Sequence, residues 1–175
     1  MKRNLIIFLT IVGTFLLQTT FRQLFTSVQA TPNMLLALTA CMGLMRGKKS
    51  GLLTGFFCGL IQDLFFGSIF GLNALLLMYI GYANGHFYKV FFDNDVRIPM
   101  VTVLLSDLAY NFVFFIVSFA FRMRFHFFSY LIGTIIPEAV FTMLCTIFLF
   151  LIYREILKRV AAVELEEEHS PWLRR

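Results

Sequence analysis

The chain has 175 residues, 59% of them hydrophobic, 14% charged and 23 of them Phe, with a net charge of +5. Soluble domains are about 45–50% apolar on a similar count. A mean hydropathy of +0.80 in long apolar runs rather than amphipathic stripes therefore points to a bilayer and away from a soluble enzyme or a nucleic-acid-binding domain.

In chain order, six apolar runs predict six membrane spans, with five as the alternative. The first, Leu5–Phe21, follows Lys2 and Arg3 and imitates a signal peptide, with "SVQA" at Ser27–Ala30 in the place of a cleavage site. The run is long, and Gln18, Thr19, Thr20 and Arg22 separate it from that site, which favours a retained helix. The second run, Pro32–Met45, is short against the roughly 20 residues a spanning helix needs. It either extends into Val28–Thr31 or sits in locally thinned bilayer. The third is Gly51–Phe66, the fourth Leu72–Phe91, the fifth Ile98–Phe121 and the sixth Phe127–Tyr153, followed by a solvated tail over residues 155–175. These spans form one membrane domain, with no linker, low-complexity segment or internal repeat dividing it.

Charge placement orients the spans. An inward N-terminus puts Lys2, Arg3, Arg46, Lys48, Lys49, Lys89, Arg97, Arg154, Lys158, Arg159, Arg174 and Arg175 inside. Only Arg22, Arg122 and Arg124 then lie outside. That asymmetry is the positive-inside pattern, and it predicts that both ends are cytoplasmic.

The third span carries a four-residue ladder: Gly51, Gly55, Gly59, Asp63, Gly67 and Gly71. Four residues advance a helix by about 400°, so the row drifts only about 40° per step. Gly51, Gly55 and Gly59 thus make a smooth groove that lets another helix approach closely. Two readings follow: packing within the chain, or a docking face for a second protein. Asp63 continues the row near the outer interface. There it can brace the turn made by Gly67, Ser68 and Gly71 through the Ser68 hydroxyl or free backbone amides. A proton relay or ligand contact is the other reading.

Further polar residues fall inside the spans: Asn73 and Asn84 on one face of the fourth, Asp107 and Asn111 four apart on the fifth, and Glu138 after Pro137 on the sixth. Such groups must face protein or water. They predict either interhelical hydrogen bonds, with the Asn111 amide donating to Asp107, or a small pocket. Pro137 predicts a kink that frees a carbonyl. Asp93 and Asp95 lie in an exposed turn, and His86, His126 and His169 in loops or tail. Cys41, Cys58 and Cys145 have no metal or redox spacing. The absence of HExxH, GxSxG and P-loop motifs argues against an enzyme, a resident metal or a cofactor.

"TPNMLL" at Thr31–Leu36, followed by "GFFCGLIQDLFFGSIFGLNAL" at Gly55–Leu75, resembles the signature of the MreD family of rod shape-determining membrane proteins. The entry to the second span falls on Pro32 and Asn33, and the glycine–aspartate pattern on Gly55, Phe56, Gly59, Asp63, Gly67, Ser68 and Gly71. The resemblance implies a non-enzymatic protein of the bacterial inner membrane. It implies binding to the single-pass protein MreC, and membership of the rod complex with MreB, RodA and its transpeptidase, which directs side-wall peptidoglycan synthesis. It also implies a helical fold similar to the substrate-binding subunits of vitamin transporters. That similarity supplies an alternative function, small-molecule binding or transport.

Overall fold

A computed structural model describes residues 2–24, 32–67, 70–89, 97–122 and 136–169. All the described secondary structure is helical. The helices are α1 (Lys2–Leu24), α2 (Met34–Arg46), α3 (Lys48–Phe66), α4 (Leu72–Asn84), α5 (Arg97–Arg122) and α6 (Ile136–His169), with a 3₁₀ helix at Gly85–Lys89. Hence α4 ends short of Phe91, and α6 continues well past Tyr153. Asp93, Asp95 and His126 lie outside the described residues, as do residues 127–135 of the sixth predicted span.

The short second run is the centre of the bundle. Helix α2 packs on α1, α3, α4, α5, α6 and the 3₁₀ helix. Every residue from Met34 to Leu44 is buried. Its 13 residues span about 20 Å at 1.5 Å per residue, against a hydrocarbon core of about 30 Å. The other helices enclose it, so its shortness leaves no mismatch with lipid.

A buried helix start has to place its free amides. Here Met34 N donates to the Pro32 carbonyl at 3.1 Å. Leu35 N donates to Gln18 Oε1 at 3.0 Å, and Leu36 N to Asn33 Oδ1 at 3.3 Å. Asn33 N in turn donates to Thr142 Oγ1 of α6 at 3.0 Å. Pro32 and Asn33 are thus the N-terminal cap of α2, with α1 and α6 supplying the rest.

A single residue, Gly47, turns α2 into α3 with φ of 83°, a backbone that side chains other than glycine rarely adopt. Residues around this turn and the end of α4 mark one end of the bundle, where Lys48 Nζ lies 5.9 Å from the Tyr82 ring centroid. At the opposite end, α1 meets the end of α3, with the Arg22 guanidinium 4.7 Å from the Phe66 ring centroid. The hydroxyls along α1 are returned to its own backbone: Thr10 bonds the Ile6 carbonyl, Thr14 that of Thr10, and Thr19 that of Phe15. A helix can therefore present threonines to lipid without unpaired donors. Pro137 is the second residue of α6. First-turn amides need no intrahelical partner, so proline breaks no bond of α6 there and the predicted kink does not arise within it.

Candidate functional site

The glycine ladder is a seam between α3 and α4. A methyl group built on Gly51 would strike the Gly81 carbonyl, one on Gly55 the Leu77 carbonyl, and one on Gly59 the backbone of Asn73 and Ala74. The groove is thus filled by α4 of the same chain. Two glycines that the sequence reading passed over complete the seam. A methyl on Gly43 of α2 would lie 2.5 Å from the Gly81 carbonyl oxygen, and one on Gly51 2.7 Å from Gly43 Cα. Gly43, Gly51 and Gly81 therefore bring the backbones of three helices to one point. Phe56, inside the signature, faces outward at 39% exposure.

Asp63 closes the seam's far end. Its Oδ2 accepts from Gly71 N at 3.1 Å and Ala74 N at 2.9 Å, and its Oδ1 from Asn73 N at 3.2 Å. The carboxylate thus sits on the free amides at the start of α4, where the helix dipole also favours negative charge. Gly67 caps α3 close against it: a methyl there would lie 2.6 Å from the Asp63 carbonyl oxygen. Gly71 caps α4 with φ of 93°. Ser68 lies outside the described residues.

Two rungs join α4 to α5. The Tyr110 hydroxyl donates to Asn73 Oδ1 at 2.6 Å, extending the Asp63 network across a third helix. Asn84 Nδ2 donates to Ser106 Oγ at 2.8 Å and to its own helix at the Ile80 carbonyl. Gln18, Ser106, Tyr110 and Thr142 were not singled out in the sequence. Hydroxyls and amides in apolar runs are common there, and only their partners, 17 to 109 residues away, give them a role.

Asp107 behaves differently. It is fully buried, and neither carboxylate oxygen has a hydrogen-bond partner. Asn111 Nδ2 donates to the Asp107 backbone carbonyl at 3.1 Å, not to the carboxylate. The Glu138 side chain lies outside the described residues. The structure thus places the proposed polar interior on separate rungs rather than in one described pocket. Among the described residues no group of three or more His, Cys, Asp or Glu side chains comes together to hold a metal.

These features define an all-α polytopic membrane protein; among the described residues two helices, α1 and α5, are long and apolar enough to cross a bilayer on length and hydropathy alone. The family model for the rod shape-determining protein MreD matches residues 1–160, and the chain belongs to that family. It is a non-enzymatic, rod shape-determining protein of the elongation complex, in the cytoplasmic membrane. Neither the curated proteins nor the solved structures compared with it give a match.

Proposed function

We propose that the chain is a membrane scaffold that holds an MreC-like single-pass protein, and through it MreB, RodA and its transpeptidase, at the site of side-wall synthesis. One observation carries the reading. The polar groups of the signature are spent on the chain's own backbone: Asp63 on three amides of α4, and Asn33 on the start of α2. They build a rigid body rather than a reactive centre. Both termini face the cytoplasm in this reading. That placement is supported by the positive-inside pattern: Lys2, Arg3, Arg46, Lys48, Lys49, Lys89 and Arg97 lie at the starts of α1, α3 and α5 and at the ends of α2 and of the 3₁₀ helix after α4, which successive spans bring to one side.

Within the chain the glycine groove is filled by α4, and α2 is enclosed by the other helices. The outward side of α1, with Phe8 at 60% exposure, is what remains. A tagged chain is recovered in nanodiscs from its native membranes and everything retained is identified by mass spectrometry. The expected result is an MreC-like protein in near-equal amount, with a Phe8→Cys variant forming a crosslink to it. Recovery of no cell-wall protein would overturn the reading.

A second reading, a small-molecule binding or transport subunit, draws on the unpartnered Asp107 carboxylate. It requires a bound small molecule or an ATPase-coupled membrane subunit in the same recovery, and loss of that molecule in Asp107→Ala.

A further inference from the structure

An open groove of about 620 Å³ runs between α1 and α6. Leu5, Gly13 and Leu17 form one wall, and Leu149, Ile152 and Ile156 the other. Nothing lies within 4 Å of a methyl group built on Gly13, so the floor is vacant at that level. Leu5 to Leu17 is twelve residues, or about 18 Å of helix. One leaflet's share of a roughly 30 Å hydrocarbon core is about 15 Å.

The groove offers no unspent polar group. Thr10 donates to the Ile6 carbonyl and Thr14 to the Thr10 carbonyl. With the Thr14 proton spent, the 3.1 Å contact between Thr14 and Tyr153 is a bond donated by the tyrosine. An occupant of the groove body is therefore apolar. The mouth differs. Lys2 and Arg3 open α1 just before Leu5, and Lys158 and Arg159 follow Ile156 on α6. The only acid in residues 2–17 and 149–160 is Glu155.

We infer, resting on the inward placement of both termini proposed above, that this groove binds an anionic phospholipid of the cytoplasmic leaflet, with one acyl chain along Gly13 and the headgroup phosphate at the end where these four bases follow on α1 and α6. An apolar slot one leaflet long, with Lys2, Arg3, Lys158 and Arg159 next in sequence along its two helices at one end, matches that amphiphile in length, polarity and charge. A partner's helix would match the slot but gives the bases nothing to neutralise unless it carries acids of its own.

The test uses the full chain in nanodiscs containing phosphatidylglycerol and phosphatidylcholine with identical acyl chains, followed by native mass spectrometry. The expected result is one retained phosphatidylglycerol, favoured several-fold over phosphatidylcholine. Gly13→Phe fills the vacant floor and should abolish retention. Ile152→Trp narrows the slot from the other wall and should do the same should the first variant fold poorly. Lys158→Gln with Arg159→Gln should bring the two lipids towards parity without emptying the groove. Parity in the unaltered chain, or retention unchanged in a folded Gly13→Phe or Ile152→Trp variant, would overturn the inference. So would a Gly13→Cys chain that crosslinks to another protein in native membranes. The MreC-like partner is probed separately at Phe8, so either proposal can fail alone.

Discussion

Asp63 and Asp107 are both buried intramembrane acids, and their surroundings assign them opposite consequences. Asp63 satisfies three amides, and a buried amide left unpaired costs about 1–3 kcal/mol. Asp63→Ala should therefore destabilise the protein by at least about 3 kcal/mol. Asp63→Asn keeps one acceptor oxygen and should lose less. Thermal unfolding in nanodiscs reads both. Asp107 has no hydrogen bond to lose. Exchanging an unpartnered buried polar group for an apolar one of similar size is neutral or stabilising. Asp107→Leu should thus hold or raise the unfolding midpoint. A clear drop would mean that the carboxyl has a partner in the membrane that supports the second functional reading.

At the scale of elements, the seam between α3 and α4 is the part of the fold most legible in the sequence. A four-residue spacing survives translation into a helix face, so Gly51, Gly55, Gly59 and Asp63 could be placed on one side before any neighbour was known. The neighbour itself was not legible. Gly43 and Gly47 extend the four-residue spacing back from Gly51, and Gly81 pairs with Gly85 in the same way, but spacing along one helix does not say which helix its glycines meet. Asp107 and Asn111 stand four apart on α5, yet spacing does not say whether an amide reaches a side chain or a backbone carbonyl four residues back. The centrality of α2 was hidden for a related reason: in a membrane protein, lipid-facing and core-facing residues are equally apolar.

The seam makes a sharp prediction. A methyl on Gly55 would lie 2.6 Å from the Leu77 carbonyl carbon, and rigid backbone stands on both sides. Gly55→Ala should lower the unfolding midpoint, and Gly55→Leu should reduce the amount of folded protein. Gly13→Ala is the control. Its site is open, and alanine is about 0.5–1 kcal/mol better than glycine inside a helix, so stability should rise slightly or hold. Equal behaviour of Gly55→Ala and Gly13→Ala would remove the seam as a determinant of packing.

For the whole molecule, the alternation of helix ends is a statement about sidedness. Single cysteines in place of Lys49 and Gln23 should label from opposite faces with a membrane-impermeant maleimide: Lys49→Cys only once the cytoplasmic face is exposed, Gln23→Cys in intact cells stripped of their outer membrane. Labelling with the two sides exchanged would reverse the assigned orientation, and labelling of both from one side would refute the alternation of helix ends.

The start of α2 has one more consequence, for the order in which the chain can be completed. Asn33 leaves synthesis 109 residues before Thr142, the hydroxyl its amide requires. Until α6 has entered the bilayer, the central helix has an open socket at its entry, whatever the first helices have achieved. A chain interrupted before Thr142 is thus marked as unfinished at its core, not merely shortened at its end. Membrane quality-control proteases that survey unpaired backbone would have a means of telling the two forms apart.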